Sequence, residues 1–155
     1  MRFLKITPAA VAIGMNSVIL LPDLLILDSQ EEEKLIKDLN IFCEIYDLRF
    51  FKNKNKNKNK NKNYFLCEIL KNSEFKKLKI NLIKFKQAQS KYLSLNFCLK
   101  KEAHNEKSQK FNQFMSELQM FLHQHSVNIS RREKSLPTVD ILWFEKLGLL
   151  AGLLN

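Results

Sequence analysis

The feature that most constrains the fold of this chain is a pair of segments whose apolar residues recur at helical spacing. The first segment runs from about residue 30 to residue 46, and Ser29 followed by Glu32 indicates a capping box at its start. The second runs from Glu106 to His125. Each segment predicts an amphipathic helix that must bury one face. The residues predicted to be buried are Leu35, Ile36, Leu39, Phe42, Cys43 and Tyr46 in the first helix, and Phe111, Phe114, Met115, Leu118, Phe121 and Leu122 in the second.

Short apolar runs around these helices predict strands. The runs cover residues 17–28 (with a break near Pro22), 48–51, 64–70 and 138–144. Residues 75–100 alternate apolar and basic side chains more weakly, as half-exposed strands do. The sequence therefore predicts an α+β fold, in which a small, mainly antiparallel or mixed sheet is covered by the two amphipathic helices. We expect one domain over residues 1–155.

The amino-terminal segment is basic and then apolar, an order that resembles a signal peptide in outline. Asn16, Pro22 and Asp23 interrupt the apolar run. No stretch reaches the length of about 18 apolar residues that a membrane-spanning helix needs. We therefore expect a buried strand here, no association with a membrane, and a cytoplasmic protein.

A repeated Lys-Asn tract covers residues 52–63 and supplies six of the ten net positive charges. Asparagine disfavours both regular structures and neighbouring lysines repel each other, so the tract predicts a disordered loop between two strands. The alternative is a basic module in which residues 52–62 bind nucleic acid. Such an arm would give weak, non-specific and salt-sensitive binding, since no aromatic side chain is interleaved to stack on bases.

The cysteines and histidines do not form a recognisable metal site. Cys43, Cys67 and Cys98 lack a CxxC pair, which is typical of reduced, buried thiols. His123 and His125 are two residues apart, so on a helix their side chains point about 200° apart and cannot share one metal ion. Neither a metal nor a cofactor is predicted. One histidine is expected to satisfy the end of the second helix, and the other to face solvent.

A second short helix is expected to begin near Asn128, a residue type that caps helix starts well. Helix amides together with Arg131 would then make an anion pocket. The alternative is structural, with Asn128 as the cap and Arg131 paired with a carboxylate.

Residues 116–144 resemble the motif NExQMxLxxHPVNxxRxxxGxxPVNSLWxWGxG. This motif closes the RpfE-type regulatory proteins, a bacterial family often labelled as cofactor-independent phosphoglycerate mutase. The chain departs from the motif at Ser126, Ser135 and Asp140, and it lacks the closing WGxG. The residues that carry the resemblance are Glu117, Gln119, Met120, His125, Val127, Asn128, Arg131, Pro137, Val139, Leu142 and Trp143.

The resemblance covers roughly residues 8–144 and corresponds to the carboxy-terminal half of the family. In the mutases, the nucleophilic serine and two metal ions lie in a separate phosphatase-like domain, whose ligand pattern is not found in this chain. The resemblance therefore implies a non-catalytic, regulatory fragment that acts through a protein partner supplying the missing half. A metal-dependent phosphoglycerate mutase is a further alternative.

Within the motif, His125, Asn128 and Arg131 are the candidates for contact with an anion. Glu117, Gln119, Met120, Pro137 and Trp143 are expected to be structural. The apolar tail at residues 145–155 and the 12 phenylalanines would mark a surface that a partner covers.

Overall fold

The computed structural model describes residues 2–13, 18–21, 24–53, 64–77 and 106–146. The strands are β1 (Arg2–Ile13), β2 (Val18–Leu21), β3 (Leu48–Lys52), β4 (Phe65–Ile69) and β5 (Ile141–Lys146). The helices are α1 (Ser29–Phe42), α2 (Glu106–Gln124) and α3 (Ser126–Glu133), with short 3₁₀ helices at Glu44–Tyr46 and Glu74–Lys77.

The five strands form one open sheet in which every pairing is antiparallel. The long strand β1 organises the sheet, because residues 2–6 pair with β4, residues 4–9 pair with β5 and residues 10–13 pair with β2. β3 pairs with β4. The α+β fold and the mainly antiparallel sheet are therefore confirmed, and three α-helices accompany the sheet.

Aromatic rings join the helices to one face of the sheet. Phe144 of β5 contacts Phe50 of β3 and both Phe111 and Phe114 of α2, with ring centroids 5.8 to 6.2 Å apart. Since side chains alternate along a strand, Trp143 lies on the opposite face from Phe144, and it is also fully buried. Both faces of the sheet are therefore buried at β5, which explains why four successive residues of this strand are apolar.

The amphipathic faces of the two long helices are confirmed. All the residues predicted to be buried on these faces are either buried or packed against the core. Phe42 of α1 stacks on Phe121 of α2 with ring centroids 4.7 Å apart, so the two helices lie side by side.

The start and end of α1 differ from the prediction. The capping box is formed by Asp28 and Glu31, each of which accepts a hydrogen bond from the other's backbone N–H. Ser29 and Glu32 do not form it, because Glu32 is buried and its carboxylate faces Lys52. The helix ends at Phe42, and the following 3₁₀ turn closes at Asp47, whose φ of 52° breaks helical geometry.

Two strand predictions had the wrong limits. Among the described residues of the strand predicted over 17–28, those that form a regular strand are Val18–Leu21. From residue 24 to residue 27 the side chains still alternate between exposed and buried, but the segment is not part of the sheet. The closing strand begins at Ile141 rather than at residue 138, because residues 136–140 bond to α3 and to the end of β1 instead.

Several predictions fall wholly or partly outside the described residues. Of the Lys-Asn tract, Lys52 belongs to β3 and Asn53 is buried, while residues 54–63 lie outside. The strands predicted within residues 78–100 also lie outside. Glu145 and Lys146 belong to β5 rather than to a tail, and residues 147–155 lie outside. None of the described helices combines the length and the apolar character needed to span a membrane.

Candidate functional site

The candidate residues His125, Asn128 and Arg131 lie three apart and are all buried on the inner side of α3. α3 follows α2 after a single residue, His125. The spacing of three places the three side chains along one stripe of this short helix. The geometry thus brings the three candidate residues together, but it turns them toward the protein interior.

His125 is the residue that caps α3. Its Nδ1 accepts a hydrogen bond from the backbone N–H of Val127 at 3.1 Å, and its Nε2 lies 2.8 Å from Oδ2 of Asp38 on α1. The prediction that Asn128 caps this helix was wrong. The expectation that one histidine satisfies the end of α2 was also wrong for His125, because the ring points forward to the next helix instead.

Asn128 connects α3 to the residues before β5. Its side-chain amide donates to the carbonyl oxygens of Leu122 and Val139, and its Oδ1 accepts from the backbone N–H of Val139 at 2.8 Å. Three hydrogen bonds therefore use most of the donor and acceptor capacity of a side chain that is only 2% exposed. Asn128 therefore joins α3 to the end of α2 and to the segment that precedes β5.

Arg131 connects α3 to the start of α1. Its Nη1 lies 2.9 and 3.0 Å from the two carboxylate oxygens of Glu31, and it also donates to the carbonyl oxygen of Ile26. Its Nε donates to the carbonyl oxygen of Pro137. The guanidinium is paired with a carboxylate, so a bound anion would have to compete with Glu31.

Glu31 and Asp38 were missed by the sequence reading. Both lie on α1, and they meet Arg131 and His125 across 100 and 87 residues of sequence. Burial by itself would raise the pKa of the Asp38 carboxyl, but the hydrogen bonds from His125 and Lys34 outweigh it and lower the pKa below its usual value of 3.8. The only available sequence signal was the presence of acidic residues in a helix next to a basic motif.

The motif residues predicted to be structural have different surroundings. Glu117 accepts a hydrogen bond from the hydroxyl of Tyr46, and burial together with this carboxylate raises the pKa of Tyr46 to about 12. Trp143 is fully buried, whereas Met120 is 65% exposed and so does not serve the core. Gln119 and Pro137 are half-buried, and the carbonyl of Pro137 accepts from Arg131. With His125, Asn128 and Arg131 aligned, the proline of the motif falls on Thr138 rather than on Pro137.

The other groups with possible metal or redox chemistry are separate from this site. His123 is exposed, as its divergence from His125 predicts. Burial raises the pKa of the Cys43 thiol to about 12 and also raises that of Cys67, so both thiols are protonated at neutral pH. Within the part of the chain that the structure describes, no three His, Cys, Asp or Glu side chains converge where they could hold a metal ion.

Comparisons of the chain with protein-family models, with curated proteins and with solved structures give no match. The resemblance to RpfE-type proteins therefore rests on the motif residues alone.

Proposed function

We propose that this chain is the non-catalytic, carboxy-terminal half of an RpfE-type, phosphoglycerate-mutase-like regulatory protein, and that it acts by binding a protein partner. The observation that carries the proposal is the internal bonding of the motif. His125, Asn128 and Arg131 hold α3 against α1 and against the residues before β5. Motif residues that bond to other parts of their own chain stabilise the fold, and catalysis would then be carried out by another domain.

The helix α3 supports the resemblance because the motif's special residues fall at positions that helix geometry favours. Ser126, where the motif has proline, is the first residue of the helix, and proline is common there. Ser135, where the motif has glycine, has a φ of 55°. Ser135 donates to the carbonyl of Arg132 and Leu136 donates to that of Arg131, which together make a Schellman motif with Ser135 in the glycine position.

The third departure, Asp140, is compatible with the motif's asparagine. One carboxylate oxygen of Asp140 accepts from the backbone N–H of Val11, and the other accepts from the hydroxyl of Thr138. An asparagine side-chain oxygen could accept the first of these bonds equally well. The substitution therefore keeps the link between β1 and the segment that precedes β5.

The surroundings of His125 and Arg131 favour a non-catalytic role. A general base needs a lone pair within reach of substrate, but both ring nitrogens of His125 are engaged and the residue is 6% exposed. Arg131 is 5% exposed and is paired with Glu31. Neither side chain is presented to a phosphorylated substrate.

The seam between α1 and α2 offers an apolar surface for the partner. Ile41 and Ile45 are 65% and 81% exposed, and Met120 on α2 is equally open. They are sequence neighbours of Phe42, Tyr46 and Phe121, which form or border the contact between these helices. Exposed large apolar side chains next in sequence to a contact between helices favour an interaction surface there.

Binding is tested with a phosphatase-like domain taken from a full-length RpfE-type protein and mixed with this chain in sedimentation velocity. We expect a complex with the unmodified chain and a loss of binding in the double variant Ile41→Asp, Ile45→Asp. The matched control is Ile26→Asp, because Ile26 is 73% exposed but lies beside Arg131 rather than on the seam. No complex with the unmodified chain would contradict the proposal, and equal binding by all three proteins would contradict the assigned surface.

Catalysis is tested separately, by incubating the purified chain with 3-phosphoglycerate and Mn²⁺. We expect no interconversion above the blank, and the same result for Arg131→Ala. Turnover that depends on Arg131 would show that the motif acts on substrate, and it would replace the regulatory proposal by the mutase alternative.

A further inference from the structure

The hydrogen bonds of His125 define which nitrogen carries its proton. Nδ1 accepts from the backbone N–H of Val127 and therefore holds a lone pair. Nε2 then carries the proton of the neutral ring, and this N–H donates a hydrogen bond to the Asp38 carboxylate. This tautomer is assigned from the bonding partners, and it is the form that satisfies both contacts.

The groups around the ring come from all three helices. From α1 it faces Asp38, which is also paired with Lys34 at 3.2 Å. From α2 it faces the ring of Phe121, with centroids 5.5 Å apart. From α3 it faces the main-chain N–H groups of the helix start, where the helix dipole is positive. Asp38 is thus the acidic side chain that contacts the ring.

A second proton on the ring has to go to Nδ1, which is the atom that caps α3. A protonated Nδ1 can only donate, so it cannot accept from the N–H of Val127, and two donors then face each other. The positive end of α3 also repels an imidazolium. On the other side, the charged ring and the Asp38 carboxylate attract each other more strongly than before.

We propose that His125 is a proton-sensitive latch on α3. Protonation at Nδ1 removes the cap from the first turn of α3, while the ion pair with Asp38 keeps the ring on α1. The first turn of α3 then shifts, while the His125 ring remains against Asp38 of α1. Because Asn128 and Arg131 lie on the same helix and bond to Val139, Pro137 and Glu31, the release loosens the segment before β5. The device makes the arrangement of the whole motif depend on pH.

The latch is tested by NMR on the ¹⁵N-labelled chain, with spectra recorded at intervals between about pH 8 and about pH 5. At about pH 8 we expect His125 to have a protonated Nε2 and an unprotonated Nδ1. As Nδ1 gains its proton, the hydrogen-exchange protection of the Val127 amide should fall about five-fold, since losing an N-cap costs about 1 kcal/mol. The amide of Leu39, in the middle of α1, should keep its protection.

The matched variant is His125→Asn. Asparagine is a good N-cap and does not titrate, so the Val127 amide should keep constant protection over the same pH range. Three results would overturn the proposal: an Nδ1 that is protonated at the upper pH, a ring that stays neutral at the lower pH, or a ring that gains its proton while Val127 remains protected. The first and third are read directly from the unmodified chain, so they do not depend on whether the variant folds.

Discussion

Arg131 and Arg132 are neighbours in the chain, and their surroundings give them different roles. Arg131 is buried and bonds to Glu31 and Ile26, which are distant from it in sequence, and to Pro137, which lies just beyond the end of α3. Arg132 is exposed and bonds to the carbonyl of His123 at the end of α2. The candidate site is thus a set of individual side-chain contacts, and the contribution of each contact to the free energy of unfolding can be measured separately.

Replacing Arg131 by alanine should lower the free energy of unfolding by about 2–4 kcal/mol, because it removes the positive charge that pairs with the Glu31 carboxylate and the donor of two carbonyl oxygens. The matched variant Arg132→Ala removes the same side chain from an exposed position, and its cost should stay below about 1 kcal/mol. Urea unfolding followed by circular dichroism measures both. Equal costs would contradict the structural role of Arg131.

Replacing Ser135 by glycine should stabilise the protein by about 0.5–1 kcal/mol. The reason is that Ser135 has a positive φ, which is unfavourable for any residue with a Cβ atom but not for glycine. The control is Ser130→Gly inside α3, where glycine weakens a helix and should cost about 0.5 kcal/mol. Thermal melts of the two variants should shift in opposite directions. A destabilised Ser135→Gly protein would argue against the Schellman geometry.

Among the strands that the structure describes, β3 lies at an edge of the sheet, where the helix α1 protects it. Asn40 of α1 donates to the carbonyl of Phe50 and accepts from its N–H, so its side-chain amide takes the place of a neighbouring strand. Edge strands with open main-chain groups pair with other chains and aggregate. One asparagine on α1 therefore both attaches the helix to the sheet and closes part of its edge.

Removal of this amide by Asn40→Ala should cost about 1–2 kcal/mol and should also increase association between molecules. Lys37→Ala, on the exposed side of the same helix, is the control and should leave both properties nearly unchanged. Urea unfolding gives the stability, and light scattering at rising concentration gives the association. If the Asn40 variant unfolds more easily but stays monomeric, the amide attaches the helix without protecting the edge.

At the scale of the whole molecule, α1 is the element to which the motif is attached. Glu31 at its start receives Arg131, Asp38 in its middle receives His125, and Asn40 near its end holds β3. The aromatic cluster around Phe144 then joins α2 to β3 and β5. The hydrogen bonds and ion pairs of α1 and the aromatic core thus hold the helices and the sheet together.

This arrangement predicts how stability depends on acid. The pKa of Asp38 is lowered in the folded chain, so its charged form stabilises the fold. The contribution is complete above the pKa of an unfolded aspartate and is lost as the pH falls through that value toward the lower folded one. Asp38→Asn should therefore destabilise the protein by about 1 kcal/mol at about pH 7, and the difference should vanish at about pH 2.

Urea unfolding of both proteins across this pH range measures the difference. Glu133→Gln, which removes an exposed carboxylate from α3, is the control and should show little difference at any pH. A difference between Asp38→Asn and the unmodified chain that persists at low pH would show that the carboxylate charge is not what stabilises the contact.

Local patterns predicted much of the fold because their causes are local. The apolar stripes at helical spacing identified which faces of α1 and α2 are buried, and the short apolar runs identified β3 and β4. Boundaries were less accurate. Asp28 and Ser29 are both good caps with a glutamate three residues later, and the choice between them was made by Glu32, which is buried beside Lys52 of β3.

The candidate site shows the same division. The sequence indicated a short helix in this segment, but it predicted Asn128 as the cap, whereas the helix is capped by His125. The roles of His125, Asn128 and Arg131 depend on the folded chain, since Asp38, Glu31 and Val139 come from other parts of the sequence. The physical reason is that helix and strand preferences act between near neighbours, whereas a buried polar side chain takes its role from whichever partner the fold brings within about 3 Å.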